Sequence, residues 1–304
     1  MNITRQPNDF NNFKSGFVAI VGAPNAGKST LLNRMLGQKI AITSKKPQTT
    51  RNRILGVLDR PHVQMIFLDT PGIHRAEKLL NVRIVETALA ALSDADVALV
   101  MLDAATPNSD AENYLIQKLK EVATPTLLAL NKIDLIPKPE LLQIIDRWSQ
   151  NHAFKAIVPI SAAKGDQVDT LIDTMTELLP TGPPFYPPGS LTDMTERFIA
   201  GEMIREKAFR LTGEEIPYAV AVTIDTFKEE KNGRLIKIDA TLHVERNSQK
   251  GIIIGKGGSK LKQIGKAARK EIERMVGTKV FLKLFVRVQK NWSRDAKALQ
   301  RFGY

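Results

Sequence analysis

Gly22-Ala23-Pro24-Asn25-Ala26-Gly27-Lys28-Ser29 follows the apolar run Phe17 to Val21 and leads into the helical spacing Leu31, Leu32, Met35 and Leu36. Strand, glycine-rich turn and helix in that order form the setting in which the pattern G-x-x-x-x-G-K-[ST] cradles a phosphate. The glycines allow successive backbone N–H groups to turn around an anion, and the following helix points its positive end at it. Gly22 to Thr30 are therefore candidate phosphate contacts. Lys28 adds a charge for the outer phosphates, and Ser29 offers a hydroxyl to a magnesium ion.

Downstream, apolar runs at Val63–Leu68, Val97–Leu102, Thr126–Leu130 and Ala156–Ile160 alternate with helical patterns. This alternation predicts an α/β domain with a mostly parallel sheet, whose ligand sits beyond the carboxyl ends of the strands. Polar motifs fall at those ends. Asp69-Thr70-Pro71-Gly72-Ile73 supplies a carboxylate for magnesium through water and a glycine N–H for the γ-phosphate. Asn131-Lys132-Ile133-Asp134 supplies a carboxylate that accepts from N1–H and N2–H of guanine, a pair of donors adenine does not offer. Ser161-Ala162-Ala163-Lys164 is placed to finish the base pocket.

A chain of 304 residues with 43% hydrophobic and 25% charged content accommodates two ordinary globular domains. No apolar run approaches the roughly 18 residues of a spanning helix, and the first 16 residues are polar, which predicts a cytoplasmic protein. The absence of cysteine excludes disulfides, thiolate catalysis and Cys-based zinc sites, and the four histidines are scattered. Charge is uneven: residues 1–180 carry 20 Lys and Arg against 18 Asp and Glu, residues 181–304 carry 24 against 14. The basic half calls for a polyanionic partner, nucleic acid or an acidic membrane surface. Between the halves, Thr181 to Ser190 holds four prolines and two glycines, the composition of a stiff connector. We expect a first domain over 1–180, a linker over 181–193 and a second domain over 194–304.

The second half reads as helix, strand, strand, helix, loop, helix, strand, helix. Its expected strands are Tyr218–Thr226, Leu235–Glu245 and Lys279–Val288, with a charged turn at Lys228–Gly233. Gly255-Lys256-Gly257-Gly258 sits between two helices, the second with basic residues at Lys260, Lys262, Lys266, Arg269 and Lys270.

The ordered set GAPNAGKS, TTR, DTPG, NKID and SAAK resembles the translation-factor-related class of GTPases. The resemblance implies Mg2+ with GTP or GDP as cofactor, and a threonine of a mobile segment on the metal. That threonine falls in Gln48-Thr49-Thr50-Arg51; spacing does not decide between the two, and Thr50 is favoured. Lys28, Thr50, Asp69 and Gly72 are then the catalytic candidates, with Ser29, Thr50 and Asp69 (through water) about the metal. Ras-like enzymes carry a water-orienting glutamine after this DxxG motif. Here the residue is Ile73, which implies slow unaided turnover.

The layout around Gly255–Gly258 resembles the type II KH module, whose GXXG loop clamps four single-stranded nucleotides. It marks Ile252, Ile253, Ile254, Gly255, Lys256, Gly257, Gly258, Ser259 and Lys260 as RNA-binding candidates. The whole chain is similar to the bacterial Era-type GTPase family. That resemblance implies a switch that binds 16S ribosomal RNA near its 3′ end, a role in small ribosomal subunit assembly, a monomer, and peripheral contact with the inner membrane. Two other readings remain at this point: a membrane-surface signalling GTPase, and a constitutive RNA-binding protein with a structural nucleotide.

Overall fold

The computed structural model describes residues 12–43, 53–73, 79–107, 109–212, 220–230 and 232–303. The chain divides into two compact units, one formed mainly by residues up to Asp193 and the other mainly by Met194 onward.

The first unit is a six-stranded sheet in the order β2-β3-β1-β4-β5-β6. Its strands are β1 (Lys14–Gly22), β2 (Ile54–Arg60), β3 (Val63–Asp69), β4 (Val97–Asp103), β5 (Thr126–Asn131) and β6 (Ala156–Ile160). Helices α1 (Lys28–Leu36), α2 (Leu79–Ser93), α3 (Ser109–Leu119), α4 (Lys138–Asn151) and α5 (Val168–Leu178) alternate with them. β3 and β4 flank β1 in parallel, and β5 and β6 continue the parallel run. These strands are almost wholly buried, which is why they read as unbroken apolar runs rather than alternating ones.

β2 is an addition to the sequence reading. It pairs antiparallel with β3 across the short turn at Pro61 and His62, from Ile54↔Asp69 to Arg60↔Val63. Residues 181–193 are strapped along the sheet rather than spanning open solvent. Val57 N–H donates to Leu191 O at 2.8 Å, Gln64 exchanges side-chain bonds with the Tyr186 backbone at 2.8 and 2.9 Å, and the Phe17 and Phe185 rings lie 5.1 Å apart. Prolines cannot donate backbone bonds, so the donors of this segment lie between them, while the Pro183 carbonyl accepts from Ser15 Oγ at 2.7 Å.

The second unit has a three-stranded sheet, β7-β8-β9, built from β7 (Ala221–Glu230), β8 (Leu235–Val244) and β9 (Lys279–Val288). β7 and β8 are antiparallel, β8 and β9 parallel. The helices are α6 (Glu196–Leu211), α7 (Asn247–Ile254), α8 (Ser259–Val276) and α9 (Ala296–Arg301). Ile264, Ala268 and Ile272 of α8 meet Ile238, Ala240, Leu242 and Val244 of β8 in one core.

One expectation needs correction here. Lys228, Glu229 and Glu230 belong to β7, not to a turn, because pairing with Lys237, Ile236 and Leu235 carries the strand through them. An antiparallel strand with one face in water tolerates such charges. β7 runs from Ala221, with Tyr218 and Ala219 lying outside the described residues, and passes a register irregularity between Ile224 and Thr226. Among the described residues no helix is long and apolar enough to cross a membrane.

Candidate nucleotide site and nucleic-acid interface

β1, β3, β5 and β6 end at the same edge of the first sheet, so Gly22, Asp69, Asn131 and Ser161 arrive together although far apart in sequence. The loop after β1 needs its glycines. Gly27 has φ +100°, and a Cβ on it would fall 2.2 Å from Asn131 Nδ2. A Cβ on Gly22 would fall 2.3 Å from Met101 O. Gly27 caps α1 without any side-chain bond, so the first-turn N–H groups point past the helix end, as anion sites require.

Lys28 is buried, and its Nζ donates to Gly22 O at 3.1 Å and Ala23 O at 3.0 Å. Burial lowers its pKa to about 8, against the pull of nearby Asp69. Ser29 Oγ donates to Asp69 Oδ2 at 2.7 Å, while Asp69 Oδ1 is buried without a hydrogen-bond partner among the described residues. Burial raises the Asp69 carboxyl to about 6, opposed by the Ser29 bond and the Lys28 charge. An alcohol and an under-coordinated carboxylate are the hard oxygen donors that suit Mg2+, which takes one or two protein ligands beside substrate phosphates. Among the described residues no cluster of three or more His, Cys, Asp or Glu offers an all-protein metal site. Thr49 and Thr50 lie outside the described residues.

The DTPG segment is packed on the phosphate loop. Thr70 Oγ1 donates to Ile20 O at 2.8 Å, Ile73 N–H donates to Gly22 O at 3.0 Å, and a Cβ on Gly72 would meet Pro24 at 2.8 Å. Pro71 lies in the same buried stretch, and Ile73 is fully buried. Ile73 therefore offers no polar group to a water molecule here.

Asn131 joins the two ends of the site. Its Nδ2 donates to Ala26 O at 2.7 Å, and its Oδ1 accepts from Ala162 N–H at 2.9 Å. The phosphate loop and the SAAK loop are thus held by one buried side chain. Asp134 follows on a 3-10 turn, Ile133–Leu135. A hydrogen bond from Ser161 leads in holding its carboxyl below the usual range, helped by Lys164, whose Nζ lies 3.7 Å away.

Two residues at this edge were not singled out from the sequence. Asp103 ends β4 opposite Asn131 and pairs with Lys132 Nζ, while its Oδ1 accepts from Ala105 and Thr106 N–H. Its position at a strand end, like that of Asp69, was the available signal. Arg34 on α1 donates from Nε to Ala162 O at 3.3 Å and from Nη2 to Ala163 O. No local pattern marks it, because its partners lie more than a hundred residues away.

In the second unit, α7 and α8 meet at Gly255–Gly258. Gly255, Gly257 and Gly258 all have positive φ, and Gly258 precedes α8 as a cap without a side-chain bond. Lys256 and Gly257 are exposed, Lys260 is half-buried on the first turn of α8, and Ser259 opens that helix. This is an uncapped helix N-terminus beside two cations, suited to a phosphate. Ile252 and Ile254 are half-buried, but Ile253 is wholly buried in the core. α7 thus turns the Ile253 side chain onto β8 and α8, and leaves Ile252 and Ile254 nearer the surface.

Comparison with known proteins agrees with this geometry. Residues 17–132 match the family described as 50S ribosome-binding GTPase, and residues 215–293 match the KH domain family. The chain is 53% identical over 294 residues to the GTPase Era of Geobacter metallireducens, covering 97% of this chain and 99% of that protein. The chain belongs to the Era family of GTPases. The Era of Syntrophus aciditrophicus is 49% identical, covering 96% of this chain and 95% of its own. Among solved structures, a variant of Aquifex aeolicus Era bound to GDP and aluminium fluoride is 43% identical with a TM-score of 0.91, covering 96% of this chain and 99% of that one. An Era in complex with MgGDPNP and nucleotides 1506–1542 of 16S ribosomal RNA is similar at 43% identity and a TM-score of 0.92, with the same coverage.

Proposed function

We propose that this Era-family chain is a GTP-binding and GTP-hydrolysing switch that binds 16S ribosomal RNA near its 3′ end and serves in small ribosomal subunit assembly. The observation that carries the nucleotide half is Asn131, which ties Ala26 of the phosphate loop to Ala162 of the base loop. Relatives at about half identity over almost the whole chain support the same reading.

Gly22 to Thr30 would hold the phosphates through backbone N–H groups, with Lys28 leaving its carbonyl partners to meet them. Ser29, and Asp69 through water, would hold Mg2+, which supplies positive charge to the β- and γ-phosphate oxygens. Thr50 is assigned to the same cation from the sequence. Gly72 N–H would sense the γ-phosphate. The bond from Ile73 N–H to Gly22 O fastens this segment to the phosphate loop, so a γ-phosphate contact at Gly72 requires the two to readjust together. Asp134 would accept from guanine, Ser161 and Lys164 hold that carboxylate, and Lys132, steadied by Asp103, would pack its stem beside the base.

The second unit would clamp single-stranded RNA at Gly255–Gly258, with Lys256 and Lys260 on phosphates. We place the protein in the cytoplasm as a monomer, its basic unit also suited to peripheral contact with the anionic membrane face. The test is RNA affinity of the full chain loaded with GDP or with a non-hydrolysable GTP analogue. A switch shows different affinities in the two states. Equal affinities would make the nucleotide structural.

A further inference from the structure

β9 is an edge strand, and its two faces differ in kind. Val280 lies in the core, and Leu282, Leu284, Val286 and Val288 pack against that core, where β9 meets α7 and α8. The other face presents Lys279, Phe281, Lys283, Phe285 and Arg287, all exposed, in unbroken alternation of cation and ring. Phe281 is 54% and Phe285 44% exposed.

The rows of the sheet extend this surface inward. Phe281 stands beside Lys237 and then Lys228, Lys283 beside Asp239 and then Thr226, and Phe285 beside Thr241 and then Thr223. The acids of this face are Asp225, Asp239 and Glu230. Asp225 is engaged by Thr241 at 2.6 Å and Thr223 at 3.3 Å. At the far end Phe302 lies 4.6 Å from His243, so the C-terminal helix covers that corner. Cations thus line the open edge along β9.

We propose that this face of β9 carries single-stranded RNA, with bases stacked on Phe281 and Phe285 and phosphates on Lys279, Lys283 and Arg287. The proposal rests on the reading of the second unit as RNA-binding and extends it to a second surface. Each ring is flanked by charges along the strand, and Lys283 Nζ lies 5.0 Å from the Phe285 ring centroid, so a cation separates the two rings. Flat rings spaced between cations match a chain of flat bases spaced between phosphates. Phe281 and Phe285 are four residues apart, about 13 Å along a strand, leaving room for an unstacked nucleotide over Lys283. Because β9 is both the edge strand and a neighbour of α7 and α8, a strand leaving Gly255–Gly258 reaches the outer face around the sheet edge.

Affinity for the RNA segment 1506–1542 of 16S ribosomal RNA, read by anisotropy on the full chain, tests this. The pair Phe281→Leu and Phe285→Leu, which keeps apolar bulk without a ring, should weaken binding at least tenfold. The pair Phe281→Tyr and Phe285→Tyr should stay within about twofold, since the ring is retained. Lys283→Ala should lower the salt slope by about one phosphate contact. Parental affinity in the leucine pair, or equal loss in both pairs, overturns the proposal. So does a leucine pair that keeps RNA affinity but loses binding to phosphatidylglycerol vesicles, which would make the face a lipid surface. Gly257→Asp, measured alongside, reports separately on the clamp at Gly255–Gly258, so failure of either surface is seen on its own.

Discussion

Ser29 Oγ donates to Asp69 Oδ2 at 2.7 Å, joining the first turn of α1 to the end of β3 and leaving Asp69 Oδ1 buried with no partner among the described residues. The pair sets a pH dependence. Asp69 titrates at about 6 rather than 3.8, because burial outweighs the Ser29 bond and the Lys28 charge. The nucleotide-free folded state therefore holds a proton that the unfolded chain has released. Its contribution, roughly 3 kcal/mol at most, is complete below about pH 4 and lost as pH rises through about 6. Urea unfolding of nucleotide-free protein from about pH 4.5 to 7.5 should show this decline in the parent and its absence in Asp69→Asn. Mg2+ affinity should rise over the same window, since only the carboxylate serves the cation. A parent-minus-variant difference that is flat with pH rejects the assignment.

Asn131→Ala should impair both ends of the nucleotide site at once. The change strands Ala26 O and Ala162 N–H in a buried place, at about 1–3 kcal/mol for each unsatisfied group. We expect a lower melting temperature and a fall of at least tenfold in GDP affinity, followed by calorimetry. Arg34→Ala should loosen only the SAAK loop, lowering GDP affinity with a smaller change in melting temperature. Equal thermal losses in both variants would show that Arg34 braces the fold rather than the loop.

Asp134→Asn should move preference from guanine towards xanthine nucleotides. The amide can donate to the 2-oxo group of xanthine where the carboxylate accepted from the guanine amine. Competition between GTP and XTP measures the change. Affinities that fall together would remove Asp134 from base recognition.

Lys28→Ala should cut triphosphate affinity or turnover severely and leave RNA binding by nucleotide-free protein near the parental level. Burial holds the side chain's pKa at about 8, and it bonds Gly22 O and Ala23 O in the present arrangement. A variant hydrolysing GTP at the parental rate contradicts the phosphate-loop role.

The glycines of the second unit should divide into structural and functional positions. A Cβ on Gly255 would fall 2.6 Å from Lys260 Cβ and 3.0 Å from its backbone N, so Gly255→Ala should destabilise the helix junction itself. Gly257 has nothing within 4 Å of a Cβ, so Gly257→Asp meets no clash, and its φ of +58° costs the variant about 1–2 kcal/mol of backbone strain, which Asp tolerates better than most residues. It places negative charge where phosphates must approach, and should abolish RNA binding while sparing GTP hydrolysis measured without RNA. Circular dichroism and RNA titration separate the two outcomes. A folded Gly257→Asp protein with normal RNA affinity removes the clamp.

The features legible in the sequence were those encoded by local spacing. Gly22 to Ser29 after an apolar run specifies strand, turn and helix, because glycine conformations and the 3.6-residue period act within a few residues. Asp69, Asn131 and Ser161 could be placed at one sheet edge because parallel strands joined by helices leave their carboxyl ends on the same side. The paired helices around Gly255–Gly258 were readable for the same local reason. Tertiary structure alone decided what depends on partners distant in the chain. β2 forms because β3 offers it an edge, and β7 extends through Lys228 to Glu230 because β8 runs alongside. Residues 181–193 fasten to β1, β2 and β3 through bonds to Ser15, Val57 and Gln64 that no composition reveals. Ile253 enters the core because packing fixes the rotation of α7. Arg34 on the base loop and Asp103 on Lys132 are contacts that spacing cannot encode: a side chain's partner at long range is selected by the folded surface it meets.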